Sequence, residues 1–207
     1  SEAARELSSL PGVRWSAGLH PNDSTKFDEE WPIISELARD QTCVAIGETG
    51  LDCFRERTPL DHHQSSLRAH LALARELNKP VIFHCRDAFD PLFELLDDEE
   101  PVRGVMHCFS GGIPEAQKSL ELGLHLSFAG PLTYPKNDAL RAACAFAPID
   151  RILVETDAPF LPPQSKRGRR NEPALVIETL TKLAEVRGLS LEDAAAATYK
   201  NAIELFG

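Results

Sequence analysis

The feature that most constrains the fold is a regular alternation of short apolar runs with longer segments of helical periodicity. Six runs rich in Val, Ile and Leu recur along the chain: Val13–Leu19, Thr42–Ile46, Pro80–Phe83, Val102–Met106, Leu124–Phe128 and Arg151–Val154. They lack strict polar alternation, which is typical of parallel strands buried on both faces. Seven segments have helical spacing: Phe27–Arg39, Asp61–Asn78, Asp87–Leu96, Pro114–Leu122, Asp138–Phe146, Glu172–Arg187 and Leu191–Phe206. Six βα units in series predict a parallel α/β fold, either a barrel or an open sheet.

Composition places the chain among globular proteins. Of its 207 residues, 43% are hydrophobic and 26% charged, and no apolar run approaches the ~18 residues of a membrane span. The formal net charge of −10 disfavours a general nucleic-acid coat but is compatible with a local basic site. The five cysteines are odd in number and none forms a CxxC pair, so we expect a reducing, cytoplasmic setting and mostly buried thiols. No linker divides residues 1–207, which predicts a single domain.

Side chains that bind metal or move protons follow nearly every predicted strand. They lie in the segments Gly18–Pro21, Ile46–Asp52, Phe83–Arg86, Met106–Gly112 and Val154–Pro159. In a barrel, the carboxyl ends of parallel strands converge on one mouth, where active sites of that fold lie. Imidazole and carboxylate together suit Zn or Mn, or Mg where oxygen ligands dominate. The pattern therefore predicts a shared divalent-metal site.

Other catalytic chemistries are not supported by the sequence. Cys85 and Cys108 directly follow His84 and His107, but neighbours on a strand point to opposite faces, so neither pair forms a Cys–His dyad. The chain contains no G-x-S-x-G elbow, no Walker loop and no G-x-G-x-x-G after a strand. Nucleophilic-serine chemistry and nucleotide binding by those routes are therefore disfavoured.

Six motifs occur in the order GLHP, GETGLD, HCRDA, HCFSGG, ETDAP and RGRRNEP. In this order and spacing they resemble the TatD family of metal-dependent deoxyribonucleases, which are amidohydrolase-like TIM-barrel hydrolases. The resemblance runs from about Val13 to the C-terminus. It implies a (β/α)8-type barrel, with about six of the eight strands in this sequence. It also implies phosphodiester hydrolysis in nucleic acid through a metal-activated water, as a 3′-5′ exonuclease on single strands.

The resemblance also implies roles for individual residues. Glu48 matches the carboxylate that bridges two metal ions, His84 and His107 match imidazole ligands, and Asp157 matches the aspartate that binds metal and helps to activate water. Glu48 and Asp157 are therefore expected to be catalytic as well as metal-binding. The implied cofactor is one or two divalent ions, Mg, Mn or Zn. His20 matches a histidine that contacts substrate phosphate.

Basic side chains provide candidate phosphate contacts. Arg86, beside His84, is placed to pair with a phosphate oxygen. Lys166–Arg170 is the most basic run of an acidic chain, and Arg167 and Arg170 in it either grip phosphates or are solvated loop charges. The expected substrate is single-stranded DNA, with RNA as an alternative, and no membrane partner is expected.

One departure from the family pattern is large. The H-x-H metal ligands of the first family strand are absent from these 207 residues, and the only close pair, His62 and His63, is expected at a solvated helix start. By the family pattern, the sequence begins in the helix after the second strand. A barrel with six strands has exposed edges that invite self-association. Two alternatives stay open: a hydrolase of another ester or amide, such as an aminoacyl-tRNA ester, and an inactive scaffold without the H-x-H ligands.

Several residues near the motifs have structural interpretations. Asn171, before Pro173, is expected to cap a helix, and Ser190 with Asp193 predicts the start of the last helix. Core packing is the favoured interpretation for Phe109 and Phe160, with base stacking as the alternative. Two others are expected in structural roles: His70 and His125. Glu155 shares a strand face with Asp157 and either supports a ligand or makes an interior hydrogen bond.

Overall fold

The computed structural model describes residues 1–54 and 58–207. Six strands are present in these residues: β1 Trp15–Ala17, β2 Cys43–Asp52, β3 Val81–Arg86, β4 Gly104–Met106, β5 His125–Phe128 and β6 Ile152–Val154. The helices are α1 Glu2–Leu7, α2 Phe27–Ala38, α3 Leu60–Leu77, α4 Phe89–Asp97, α5 Ile113–Glu121, α6 Asp138–Phe146, α7 Val176–Arg187 and α8 Leu191–Phe206. The chain forms two units, residues 1–105 with 206–207, and residues 106–205.

In the first unit, parallel strands follow the chain order. β1 pairs with β2, β2 pairs with β3, and β3 lies next to the start of β4. Helix α3 packs on β2, and its inner face repeats at helical spacing, which buries Leu67 and Leu71. The largest buried side chains beneath it come from β2 and β3: Ile46, Leu51 and Phe83. This core fixes the strand ends that carry the polar residues.

Strand β2 is longer than the sequence predicts. The predicted strand ends at Ile46, whereas the observed one continues through the GETGLD motif to Asp52. Gly47 and Gly50 have φ values of 146° and 145°, and a Cβ on Gly50 would lie 2.0 Å from the backbone oxygen of His84. Glycine inside a strand here indicates close backbone approach rather than a strand end. Glu48 is therefore a strand residue and does not lie in a loop.

The second unit also pairs parallel strands. β5 and β6 pair with Leu126 opposite Ile152, and the buried core around them includes Leu124, Phe128 and Leu132. Every described strand is followed by a helix, as an α/β chain of βα units requires. Across the part of the chain that the structure describes, no helix has both the length and the apolar character of a membrane span.

The two predicted helix starts in the second unit have different outcomes. Ser190 Oγ accepts a hydrogen bond from the Asp193 N–H at 3.0 Å, which confirms the start of α8. The prediction that Asn171 caps a helix is wrong. A 3-10 turn, Pro173–Leu175, precedes α7, and the Asn171 side chain instead bonds to residues 156 and 160.

Candidate metal centres and the family of the chain

The first cluster consists of His20, Glu48, Asp52 and His84, all in the first unit. Strands β2 and β3 are adjacent and parallel, so the residues near their ends lie side by side. The Nδ1 atom of His84 lies 2.6 Å from Glu48 Oε1, and its Nε2 atom lies 3.1 Å from Asp52 Oδ2. A carboxylate oxygen therefore faces each nitrogen of the His84 ring.

His20 packs against this ring from the end of β1. The centroids of the two imidazoles are 4.5 Å apart, and His20 Nε2 lies 3.8 Å from Glu48 Oε1. The Nδ1 atom accepts a hydrogen bond from the Asn22 N–H at 3.1 Å, which fixes the ring over the following 3-10 turn. Burial and the charge of His84 lower the pKa of His20, against the opposing effect of Glu48 and Asp52. The neutral imidazole is therefore favoured at position 20, and because Nδ1 accepts the Asn22 bond, its proton lies on Nε2.

Asp52 is a member of the first cluster that the sequence analysis did not single out. Its buried carboxylate accepts hydrogen bonds from Asn22 Nδ2 at 3.2 Å and from the Phe54 N–H at 3.0 Å. Burial raises the pKa of Asp52, but the hydrogen bond from Phe54 and the nearby His84 together lower it by more. The pKa is therefore below its ordinary value, and the ionised form is favoured. The sequence could have indicated Asp52, because Glu48, Gly50 and Asp52 are two positions apart along one strand and so lie on the same face.

The expectation of a solvated His63 is wrong. Its side chain is buried, and Nδ1 lies 3.4 Å from the Asp52 N–H. His63, Leu67 and His70 share the inner face of α3, so the periodicity of the helix includes it. His62, the preceding residue, is exposed as expected.

The second cluster consists of His107, Glu155 and Asp157, all in the second unit. His107 Nδ1 lies 2.7 Å from Glu155 Oε1, and His107 Nε2 lies 3.7 Å from Asp157 Oδ1. The Cys108 N–H donates to Glu155 Oε2 at 3.2 Å. Burial raises the pKa of Glu155, but His107 and the Cys108 N–H lower it more, so the net pKa is lowered. Glu155 is thus an ionised carboxylate that fixes His107, which is a supporting role the sequence analysis left open.

The backbone is unusual beside the second cluster. Asp157 and Cys108 have φ values of 60° and 44°, in the left-handed region that non-glycine residues rarely adopt. Such conformations cost ~1 kcal/mol or more and occur preferentially at functional sites. The strained positions directly adjoin or carry the carboxylate and imidazole groups.

Both clusters fit a divalent cation. A neutral imidazole has one N–H and one lone pair, so it can donate to only one of two carboxylates. In His84 and in His107 the other ring nitrogen also faces a carboxylate oxygen, an arrangement that a proton or a cation between them stabilises. Three donor atoms lie within 4.8 Å of one another in His20, Asp52 and His84, and likewise in His107, Glu155 and Asp157. Mixed nitrogen and oxygen donors suit Zn or Mn.

The residues predicted to bind metal divide between the clusters. Glu48 and His84 belong to the first cluster, and His107 and Asp157 to the second. His20, predicted to contact substrate, lies in the first cluster. Burial raises the pKa of the Cys85 thiol to about 12, so this thiol is a poor nucleophile, in agreement with the absence of a Cys–His dyad.

The predicted phosphate-binding arginines are all exposed. The guanidinium carbon of Arg86 lies 3.6 Å from the centroid of the Phe54 ring. That of Arg167 lies 4.3 Å from the centroid of the Tyr134 ring. Arg170 is exposed in the basic run. Stacking on an aromatic ring leaves the N–H edge of a guanidinium available to an anion.

Phe109 and Phe160 have different environments. Phe109 is buried and packs edge-on against Phe128, which confirms core packing. The same expectation for Phe160 is wrong, because 68% of that residue is exposed. His70 is fully buried and bonded at both ring nitrogens, which confirms its structural role. Cys43, Cys85 and Cys144 are buried as expected, while Cys53 is exposed.

Comparison with known proteins identifies the family. The family model described as TatD related DNase matches residues 1–207. The chain belongs to the TatD family. A crystal structure of the TatD homologue YjjV from Escherichia coli K12 matches this TatD-family chain with a TM-score of 0.91 and 30% identity, over 99% of this chain and 81% of that one. The match confirms the α/β fold class of the TIM-barrel type.

Two relatives support the chemistry of this TatD-family chain. The metal-dependent hydrolase YabD of Bacillus subtilis, itself described as uncharacterized, is 39% identical over 91% of this chain and 75% of its own length. A protein named 3′-5′ ssDNA/RNA exonuclease TatD from Citrobacter koseri is 37% identical over 100% of this chain and 83% of its own length. The chain is accordingly a metal-dependent hydrolase of the TatD family.

Proposed function

We propose that the chain hydrolyses phosphodiester bonds in single-stranded nucleic acid, from the 3′ end, with Mg, Mn or Zn. The observation that carries the proposal is the placing of two imidazoles, His84 and His107, each with carboxylate oxygens at both ring nitrogens. The name of the Citrobacter koseri relative supports the choice of substrate.

The residues of the first cluster would hold a divalent ion through imidazole and carboxylate donors. Glu48, Asp52 and His84 are the candidate donors: one carboxylate orients the ring through a hydrogen bond, and the other shares the ion with the unprotonated nitrogen of His84. When bound, divalent ions supply Lewis acidity toward water and toward the phosphoryl oxygens. Arg86, at the end of the same strand as His84, is exposed and can donate two parallel hydrogen bonds to a phosphate.

The second cluster has groups for ligation and for proton transfer. The 2.7 Å contact assigns the Nδ1 proton of His107 to a hydrogen bond with Glu155, while Nε2, 3.7 Å from Asp157, presents its lone pair. In that tautomer Nε2 is the ring nitrogen that can bind a metal ion. Asp157 is half-buried and acceptor-only when ionised, so its role is to orient the attacking water and to take its proton.

The test is degradation of a labelled single-stranded DNA by the purified chain, first stripped with chelator and then supplied with Mg, Mn or Zn. We expect Glu48→Gln and Asp157→Asn to lower the rate by about 100-fold or more, because each removes a donor or a base. The matched controls Glu192→Gln and Asp150→Asn change exposed carboxyls outside both clusters and should stay within about twofold of wild type.

Further substrates show the direction of degradation and the kind of nucleic acid that the chain prefers. Strands labelled at the 5′ or the 3′ end report the direction of degradation, and a duplex of the same sequence reports the preference for single strands. An RNA strand separates deoxyribonuclease activity from general exonuclease activity. The proposal fails if Glu48→Gln and Asp157→Asn both degrade the strand as fast as wild type, or if the stripped chain is as active as the loaded one.

A further inference from the structure

Phe160 combines exposure with closeness to the second cluster. It is the most exposed phenylalanine among the described residues, at 68%. It lies three residues after Asp157, and its N–H donates to the Asp157 carbonyl at 2.8 Å, which closes a turn between them. A single exposed apolar side chain is ordinary on a protein surface. Phe160 differs from such side chains because the backbone on both sides of it is held by specific contacts.

One flank of the turn is anchored by Asn171. The buried Asn171 side chain donates from Nδ2 to the carbonyls of Thr156 and Phe160, both at 2.6 Å. Its backbone N–H donates to the Pro159 carbonyl at 3.1 Å. One residue therefore fixes the backbone before and at Phe160.

The other flank is anchored by residues 130–134. The Leu161 carbonyl packs so close to Gly130 that a Cβ on this glycine would lie 2.1 Å from its oxygen. The Tyr134 hydroxyl donates to the Pro162 carbonyl at 2.9 Å, and the Gln164 N–H donates to Thr133 Oγ1 at 2.8 Å. The segment 156–164 is thus fixed on both sides, so the exposure of Phe160 is not a result of a loose loop.

Cations follow the same segment. Lys166–Arg170 contributes four positive charges to a chain with a net charge of −10, and Arg167 stacks on Tyr134, whose hydroxyl holds Pro162. Aromatic faces beside cationic side chains are the combination that binds single-stranded nucleic acid, in which the bases stack and the phosphates pair with the cations. A preordered aromatic with only two side-chain torsions loses little entropy on binding.

We propose that Phe160 is a stacking platform for an unpaired base of the strand that is cleaved beside Asp157. The inference rests on the proposed nuclease function and adds a substrate contact to it. Every nucleobase has a flat π face, so the contact serves DNA and RNA alike and carries little sequence preference. It makes Phe160 a residue that selects strands with unpaired bases over other phosphodiesters.

The experiment compares wild type with Phe160→Ala, Phe160→Leu and Phe160→Trp on single-stranded DNA. Loss of base stacking should lower kcat/KM by roughly 5- to 150-fold in Phe160→Ala. The rate on methyl p-nitrophenyl phosphate, which has no base, should stay within about twofold of wild type. Phe160→Trp should retain or increase the activity, while Phe160→Leu, apolar but without a π face, should behave like alanine. Tyr199→Ala, at a residue 70% exposed on α8, is the matched control.

A strand with abasic residues at its 3′ end completes the test. Wild type should lose about the same factor on this strand as Phe160→Ala loses on the normal one, and Phe160→Ala should be indifferent to the abasic change. The inference is overturned if Phe160→Ala degrades normal strands like wild type, or if leucine restores activity as well as tryptophan. If wild type hydrolyses the small phosphodiester and degrades no nucleic acid, the proposed function fails as well, so the two failures are distinguishable.

Discussion

His70 gives the sharpest prediction about stability. The ring is fully buried on α3, Nε2 accepts the Leu19 N–H at 3.0 Å, and Nδ1 lies 2.7 Å from the Ser66 carbonyl. Burial lowers the pKa of His70 to about 4, against the smaller opposing effect of the Ser66 bond. The unfolded chain, with an ordinary imidazole pKa of 6.5, therefore takes up this proton at higher pH than the folded chain does.

The sign and size of the effect follow from proton linkage. A histidine with a lowered folded-state pKa contributes stability that is fully present above pH 6.5 and is lost as the pH falls toward 4. At about 1.4 kcal/mol for each pH unit, the whole effect is about 3 kcal/mol. About 2 kcal/mol of it is lost between pH 7 and pH 5.

The assay is urea denaturation of wild type and His70→Gln at pH 7, 6 and 5. Glutamine keeps an acceptor for the Leu19 N–H and removes the titration, so its constant packing cost cancels when stabilities are compared across pH. We expect the advantage of wild type over His70→Gln to shrink by about 2 kcal/mol from pH 7 to pH 5. His62→Gln, at an exposed histidine of the same helix, should follow wild type. Parallel pH profiles for wild type and His70→Gln would refute the reasoning.

Two further predictions concern local hydrogen bonds. Asn171→Ala removes three hydrogen bonds of a buried side chain and should cost about 3 kcal/mol, seen as a fall in Tm of roughly 6–12 °C. Asn137→Ala, which removes one bond to the Pro131 carbonyl, should cost only about 1 kcal/mol, and equal losses for the two variants would contradict this account. Ser190→Ala removes the cap of α8 and should lower the free energy of unfolding by about 1 kcal/mol in urea denaturation, whereas Ser190→Thr, which keeps the hydroxyl, should not. An alanine variant as stable as wild type would show that the cap contributes nothing.

The sequence predicts the elements well because their signals are local. The parallel strands follow from short runs rich in Val, Ile and Leu, and the last helix begins at the residue after Ser190, where the capping pattern puts it. Polar residues after successive strands predict candidate ligands because parallel strands place their carboxyl ends at one edge. The strand and cap signals use neighbours within a few positions of each other, while the ligand signal also uses the general geometry of parallel strands.

The remaining features depend on partners that are distant in sequence. Asn171 is a residue type that often caps helices, but the carbonyls to which it donates are 15 and 11 residues upstream, and no local pattern shows this. Phe160 is of a residue type that usually lies in the core. Its exposure depends on the hydrogen bonds that hold the backbone on both sides of its turn. The burial of His63 could have been predicted, because His63 lies on the buried face of α3.

The glycines of β2 have a consequence for how the first cluster tolerates mutation. Gly50 packs against the His84 backbone, and Gly47 packs against Ile82, with no room for a Cβ at either position. Any larger residue there must push β2 away from β3, and so change the distance between the Glu48 carboxylate and the His84 ring. In a scan of all single substitutions, these two positions would be as intolerant as the ligands themselves, although neither has a side chain to take part in chemistry. The spacing of the candidate metal donors therefore depends on two glycines that have no side chain with which to bind metal.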